Sequence, residues 1–159
     1  MPAVNLLSAL RQHPFVEGLR PEYIEKLSAL AREVAFGRDQ TIFHEGDDAH
    51  DFFLIVSGRV ALEIVEHDHM LRVQTLGPGD EFGWSAVLMG RGKYFQARAL
   101  EPMQTLAFDG AQLIAACRSD TGFGFELMYR MLGVVSERLQ ATRLQLHDMF
   151  SPKAKRAGT

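Results

Sequence analysis

The sequence has little cysteine, little net charge and no long apolar run. Cys117 is the single cysteine among 159 residues, so no internal disulfide can form, which is typical of proteins in a reducing cytoplasm. No apolar stretch approaches the roughly 20 residues that span a bilayer, and the N-terminus lacks the pattern of a secretory signal. The formal net charge of −3 argues against a domain built to bind nucleic acid. We therefore expect a cytoplasmic protein that neither enters a membrane nor binds DNA directly.

Apolar residues, by contrast, are plentiful, since they make up 47% of the chain and include 11 phenylalanines. This content is enough for a hydrophobic core, and the length suits one domain. We predict that domain over 1–150, followed by a short basic tail, 151–159, that is expected to be disordered. Within the domain, the apolar spacing predicts helices over 5–36, strands over 40–108 and helices over 110–150.

The change from helical to strand spacing occurs near Thr41. Short apolar runs then alternate with turns, of which the Gly-Pro-Gly-Asp at 77–80 is the strongest, and this pattern is typical of a β-roll or jelly roll. A short helix is predicted over 83–89. Asp109 and Gln112 have the spacing of a capping box and predict the start of a further helix. The predicted fold class is therefore α+β, with a β-roll (a double-stranded β-helix) flanked by N-terminal helices and followed by a long C-terminal helix.

The last helix is predicted from about Asp120 to about Phe150, and it carries a heptad repeat. Apolar and small residues recur in steps of four and three, which is typical of a coiled-coil seam. Because the helix has further apolar residues on a second face, we expect one face to pack on its own domain and the seam to form a homodimer. The alternative is a helix that packs only on its own domain. The seam consists of Met128, Leu132, Val135, Leu139, Thr142, Leu146 and Met149.

Five short motifs occur in an order and at a spacing that resemble the cyclic-nucleotide-binding domains of the cAMP receptor protein (Crp/Fnr) family. They are HPF at 13–15, IFHEGD at 42–47, LIVSGRV at 54–60, LGPGDEFG at 76–83 and RAL at 98–100. The resemblance covers roughly residues 10 to 147. It implies a β-roll with a phosphate-binding cassette between the fourth and fifth motifs, and a non-catalytic regulatory or sensor function.

The cassette implied by this resemblance departs from the family pattern at three positions. Trp84 stands where the family usually has a glutamate that accepts a hydrogen bond from the ribose. Lys93 stands at the phosphate-binding arginine, and Gln96 at a serine or threonine. The candidate ligand-binding residues are Gly83, Trp84, Ser85, Ala86, Arg91, Lys93 and Gln96.

These departures predict weak binding of cyclic nucleotides. An indole only donates hydrogen bonds and cannot replace a carboxylate acceptor. Lysine keeps the positive charge but loses the planar two-pronged contact of arginine with phosphate. We expect no tight binding of cAMP or cGMP and no cofactor, with Trp84 filling part of the pocket. The alternative is that Trp84 stacks on a different planar ligand, and the helix beginning at Gly83 still offers N–H groups to an anion.

Two other functions compete with a sensor. One is a protein-interaction scaffold without a ligand, and the other is a cupin-like metal enzyme suggested by His67-Asp68-His69. No carboxylate follows shortly after His69, and no Gly-x-Ser-x-Gly motif surrounds Ser85, so an enzyme is not favoured. Only nine residues follow Phe150, too few for the helix-turn-helix of the family's transcription factors, so we expect either a stand-alone sensor or a fragment of a longer protein.

Overall fold

Helices at both ends of the chain enclose two four-stranded sheets. The computed structural model describes residues 5–44, 50–88 and 95–150. The helices are α1 (Leu6–Gln12), α2 (Pro21–Leu30), α3 (Ser85–Leu88), α4 (Gly110–Ser119) and α5 (Thr121–Phe150), with a 3-10 turn at Pro14–Val16. The strands are β1 (Ala31–Phe36), β2 (Thr41–Phe43), β3 (Asp51–Ser57), β4 (Val60–Glu66), β5 (His69–Leu76), β6 (Glu81–Phe82), β7 (Gln96–Ala99) and β8 (Met103–Asp109).

The strands form the two layers of a roll. One sheet has the order β1-β8-β3-β6 and the other β2-β7-β4-β5, with antiparallel neighbours throughout. Strand alternation divides the apolar residues of β3 between two cores. Phe53 and Ile55 pack between the sheets, whereas Phe52 and Leu54 pack against the helices. Phe53 stacks on Phe82 with ring centroids 4.7 Å apart. The predicted fold class is confirmed.

The N-terminal helical region is shorter than the predicted 5–36. Helix α2 ends at Leu30, and Ala31–Phe36 forms β1, paired with β8 in the register Ala31↔Phe108. The prediction of helix there was wrong because Ala31-Arg32-Glu33 are compatible with a helix locally. The strand forms because it pairs with a segment about 70 residues away and packs Val34 and Phe36 against the inter-sheet core.

Local turn and capping predictions match the structure. Pro21 begins α2, and the Asp109 carboxylate accepts a hydrogen bond from the Gln112 N–H at 2.9 Å at the start of α4. Gly58 has φ +87°, and a Cβ there would lie 2.4 Å from the carbonyl oxygen of Pro102. Only glycine therefore fits the turn between β3 and β4.

Helix α5 is fixed to the domain along its first half. Phe123, Leu127 and Met131 are fully buried in the helical core. Lys26 pairs with Asp120 at 2.8 Å just before the helix begins. The second half of α5 then crosses the edge of the roll, which makes this helix one wall of the space described below.

Within the described ranges, no helix combines the length and the hydropathy needed to cross a membrane. The predicted disordered tail, 151–159, lies outside those ranges.

Candidate functional site: a cavity between the roll and the last helix

A cavity of about 270 Å³ lies between the inner face of the roll and helix α5. Residues from β2, β4, β5, β6 and α3 line it on one side, and the middle of α5 closes it on the other. Eight large apolar side chains form most of its wall: Phe43, Leu62, Val73, Phe82, Trp84, Phe95, Val135 and Leu139. Gln74, Glu81, Ser85, Arg138 and Thr142 contribute polar groups.

Gly83, Trp84 and Ser85 lie together on this wall, as the sequence predicts. Gly83 has φ +83°, which lets the chain turn sharply from β6 into α3. Trp84 is partly buried and packs against the helical core. Its indole therefore lines the cavity, and about 270 Å³ stays open beside it. Helix α3 has a single turn, in which the N–H groups of Ala86 and Val87 already donate to the carbonyls of Gly83 and Trp84.

Glu81 and Arg138 are the charged residues of the wall within the described part of the chain. Arg138 Nη2 makes a short hydrogen bond to the main-chain oxygen of Glu81 and lies 3.5 Å from its side-chain Oε1. Both side chains are largely buried. Burial raises the pKa of the Glu81 carboxyl to about 7, although the Arg138 charge acts in the opposite direction. Sequence reasoning missed both residues.

The turn before Glu81 is held by the N-terminal helices. His13 is buried, its Nδ1 accepts the Phe15 N–H at 3.1 Å, and its Nε2 lies 3.2 Å from the carbonyl oxygen of Asp80. Since Nδ1 is the acceptor, Nε2 carries the proton and donates to Asp80. Burial lowers the pKa of His13, which favours this neutral form. The Asp80 side chain in turn accepts the N–H of Gly77 at 2.9 Å. These bonds fix the strand that presents Glu81.

Gln96 and Ala86 do not reach the cavity. Gln96 lies on the face of β7 opposite to Ala97, which packs in the inter-sheet core, because successive strand residues alternate between faces, and it donates to Glu63 at 3.2 Å. Ala86 is buried towards α4, where its carbonyl oxygen would lie 2.2 Å from a Cβ on Gly110. Of the remaining predicted ligand-binding residues, Arg91 and Lys93 lie outside the described ranges.

Glu63 forms a separate polar cluster on that opposite face. Arg98 donates to both carboxylate oxygens of Glu63, with Nε–Oε1 and Nη2–Oε2 distances of 3.1 and 2.9 Å. The hydrogen bonds from Arg98 lower the pKa of Glu63, although burial opposes them. Arg98 also pairs with Asp39 at 3.1 Å. This cluster ties β4 to β7, and none of its residues lines the cavity beside α5.

The comparisons with known proteins agree with this architecture. Residues 33–120 match the model of the cyclic nucleotide-binding domain. The chain belongs to the cyclic nucleotide-binding domain family. Over 135 residues, this domain is 26% identical to a CRP-like cAMP-activated global transcriptional regulator of Mycobacterium tuberculosis, a match that covers 84% of the chain and 58% of the regulator. The chain thus spans little more than half the length of that relative.

Two further similarities are relevant. The domain superposes with a TM-score of 0.74 on the crystal structure of a putative cyclic nucleotide-binding protein from Geobacter metallireducens, at 26% identity, covering 83% of this chain and 96% of that one. It is also 27% identical over 105 residues to a cAMP/cGMP-dependent 3',5'-cAMP/cGMP phosphodiesterase of Dictyostelium discoideum. That match covers 62% of this chain and only 9% of the enzyme. The predicted family resemblance is confirmed.

The structure divides the predicted dimer seam between two environments. Met128 packs against the helical core, and Val135 and Thr142 line the cavity together with Leu139. A neighbouring heptad stripe is exposed instead, and it shares three residues with the predicted seam. The stripe consists of Phe125, Tyr129, Leu132, Ser136, Leu139, Arg143, Leu146 and Phe150. Met149 is also exposed.

His67 and His69 lie at the tip of the β4–β5 hairpin, where both are exposed. His67 has φ +52°, which is the conformation of a tight turn. Among the described residues, no group of three or more His, Cys, Asp or Glu side chains could hold a metal ion.

Proposed function

We propose that this domain is a non-catalytic, cytoplasmic regulatory module that binds a small ligand in the cavity beside α5 and does not bind cAMP or cGMP tightly. The observation that carries the proposal is the cavity itself, which stays open next to Trp84 and is walled mainly by apolar side chains. A pure scaffold would have no need of such a space, because unfilled apolar cavities destabilise a fold.

The chemistry of the cavity wall supports the proposal that cyclic nucleotides do not bind tightly. Trp84 offers one N–H donor and no acceptor for a ribose hydroxyl. Glu81 places a carboxylate on the same wall, and the N–H groups of the single turn of α3 are partly used within the chain. Arg138, the cation of this wall among the described residues, is already paired with Glu81, so an anionic cyclic phosphate must compete for it and meets a like charge whenever Glu81 is ionised.

The relatives support regulation rather than catalysis. The matched mycobacterial protein is named as a transcriptional regulator, and the matched segment of the phosphodiesterase is 9% of that enzyme. Within the described ranges, the hydrogen bonds of Glu81 and of the Glu63 cluster go to arginine, glutamine and main-chain groups, and none of them activates a nucleophile. We therefore propose a role in which ligand binding changes the position of α5, since that helix forms one wall of the cavity.

A titration with cAMP tests the proposed ligand selectivity. Trp84 is the only tryptophan, so its emission reports directly on the cavity wall. We expect no saturable change in emission and no saturable heat in calorimetry at micromolar cAMP or cGMP. The variant Trp84→Glu with Lys93→Arg, followed by calorimetry, should bind cAMP more tightly than the wild type. Micromolar binding of cAMP by the wild type would contradict the proposal.

We also propose a homodimer that forms through the exposed stripe of α5. The stripe follows the four-three spacing of a coiled coil, and its large side chains Phe125, Tyr129 and Leu132 are each about two-thirds exposed in the single chain. Exposed apolar residues in a continuous row are typical of an interface.

The matched variants Leu132→Asp and Leu144→Asp test this assembly. Leu132 is 65% exposed on the stripe, and Leu144 is 62% exposed off it, so neither change should unfold the monomer. In light scattering, we expect the wild type and Leu144→Asp to be dimers and Leu132→Asp to be a monomer. Equal masses for the two variants would exclude this interface.

A further inference from the structure

The wall of the cavity favours a ligand that is mainly apolar and planar. Aromatic side chains face it from the roll, namely Phe43, Phe82 and Phe95, and Trp84 adds an indole beside them. Val135 and Leu139 close the space from α5. Burying apolar surface contributes about 25 cal/mol per Å², so a ring system would gain most of its binding free energy from this wall. An apolar cavity of about 150 Å³ is enough for benzene, so about 270 Å³ suits a larger ring system.

Glu81 and Arg138 are the two charged residues of the cavity wall within the described ranges. Within the described part of the chain, the Glu81 side chain contacts Arg138 at the long distance of 3.5 Å and bonds to its own backbone. A carboxylate accepts several hydrogen bonds, so Glu81 has unused acceptor capacity while largely buried. Arg138 makes its shorter bond to the main-chain oxygen of Glu81 through Nη2, and a guanidinium has five N–H donors. A charged acceptor and a charged donor therefore lie side by side on a mainly apolar wall, to which Gln74, Ser85 and Thr142 add neutral polar groups.

Such a pair is complementary to a group that both donates and accepts a hydrogen bond. A hydroxyl has one donor and two acceptor lone pairs, so it can donate to Glu81 and accept from Arg138 at the same time. A carboxylate or phosphate has no donor and would bring a second negative charge towards Glu81. A purely apolar ligand would leave the two buried groups without new partners.

We propose that the cavity takes a planar, mainly apolar molecule with one hydroxyl group, a phenol in chemical class, whose hydroxyl contacts Glu81 and Arg138. This inference rests on the proposed ligand-binding function and goes further by naming the class of ligand. Glu81 and Arg138 are the residues that set the specificity, and the aromatic wall supplies most of the affinity.

Two-ring probes test the proposal on the wild-type protein. 2-Naphthol has the ring system and the hydroxyl, 2-methoxynaphthalene can accept but not donate, and 2-naphthoate carries a negative charge. In calorimetry, we expect saturable binding of 2-naphthol, about tenfold or more weaker binding of 2-methoxynaphthalene, and weaker binding still of 2-naphthoate. The single indole N–H resonance of Trp84 in proton NMR should shift with 2-naphthol, which locates the probe.

The variant Glu81→Leu and the control Glu25→Leu distinguish a loss of specificity from a general effect of replacing glutamate by leucine. Glu25 is exposed on α2, and it does not line the cavity. Glu81→Leu should lose about tenfold or more in affinity for 2-naphthol and little for 2-methoxynaphthalene, whereas Glu25→Leu should match the wild type for both. The comparison of the two probes on the wild type tests the proposal even if Glu81→Leu fails to fold.

The outcomes distinguish this inference from the function on which it rests. No saturable binding of 2-naphthol, or equal binding of 2-naphthol and 2-methoxynaphthalene, would overturn the assignment of a phenol and leave the weak binding of cyclic nucleotides intact. Micromolar binding of cAMP that displaces 2-naphthol would overturn the proposed function itself.

Discussion

Glu63 on β4 and Glu81 on β6 are two buried carboxylates in different sheets of the roll, and their surroundings differ sharply. Glu63 is 2% exposed and Glu81 7%. Glu63 receives both prongs of Arg98 and a third bond from Gln96, and its pKa is held below the ordinary value. The Glu81 carboxylate lies 3.5 Å from Arg138 Nη2, and burial raises the pKa of Glu81 to about 7.

The difference separates a structural role from a functional one. A buried charge with all its partners in place ties strands together and has no capacity left for a ligand. A buried charge with few partners is costly to the fold, and such groups cluster at binding and catalytic sites. Of these two carboxylates, Glu81 is the one that lines the cavity beside α5, which supports the proposal that this cavity binds a ligand.

The largest predicted effect is a loss of stability when the arginine that pairs with Glu63 is replaced. Arg98→Met leaves Glu63 buried without its main partner, so the free energy of unfolding should fall by about 3 to 5 kcal/mol. Urea denaturation measures it. Arg59→Met, which removes a largely exposed arginine paired with Glu101 at 3.4 Å, is the matched control and should cost less than about 1 kcal/mol. Equal effects of the two variants would mean that Glu63 is not held as described.

The second largest predicted effect is a dependence of the free energy of unfolding on pH that comes from Glu81. The folded state binds the Glu81 proton more tightly than the unfolded state, because the folded pKa is about 7 and the ordinary value is 4.5. Its contribution to stability is therefore full below about pH 4.5 and is lost as pH rises through 7. Relative to Glu81→Gln, the wild type should lose up to about 3 kcal/mol between those values.

The charged groups that act on Glu81 are Arg138, Asp80 and Glu137, and His13 bonds to the carbonyl of Asp80. Glu81→Gln leaves all four unchanged, so subtracting its stability from that of the wild type isolates the Glu81 proton. Urea denaturation of both proteins at several pH values gives this difference. If the difference in free energy of unfolding between the two proteins does not vary with pH, the pKa of Glu81 is the same in the folded and unfolded states, which would contradict this prediction.

The smallest effect concerns Gln96, which the sequence placed in the ligand site. Its side chain bonds to Glu63 on the far face of β7. Gln96→Leu should therefore lower the free energy of unfolding by about 1 to 2 kcal/mol and leave 2-naphthol binding unchanged. A selective loss of 2-naphthol binding in a stable Gln96→Leu variant would show that Gln96 contributes to ligand binding, contrary to this prediction.

The fold was largely predictable because most of its elements are specified locally. Proline, glycine and capping residues mark the ends of α2, β3 and α4, and strand alternation gives the two cores. Strand β1 was not predictable from its own residues, since its partner β8 lies far along the chain and supplies the hydrogen bonds. The interface proposed on α5 differs from the predicted seam for a similar reason, because the domain itself covers Met128 and Val135.

The site was predictable only in part. Gly83, Trp84 and Ser85 follow a recognisable motif and do lie on the cavity wall. Glu81 and Arg138 are separated by 57 positions, and ordinary charged residues carry no local pattern that pairs them. The burial of Glu81 beside Phe82 in the two-residue strand β6 becomes visible only in the structure.

The most direct test of the account is a pH titration of the glutamate side chains by carbon NMR. In a sample labelled at the glutamate carboxyl carbons, Glu81 should titrate near pH 7, and Glu63 should stay ionised below pH 4.5. Saturating 2-naphthol should shift the Glu81 signal and leave that of Glu63 in place, with Glu81→Gln and Glu63→Gln assigning the two resonances. Titration of Glu81 at its ordinary value, or a 2-naphthol shift of Glu63 as large as that of Glu81, would contradict the account.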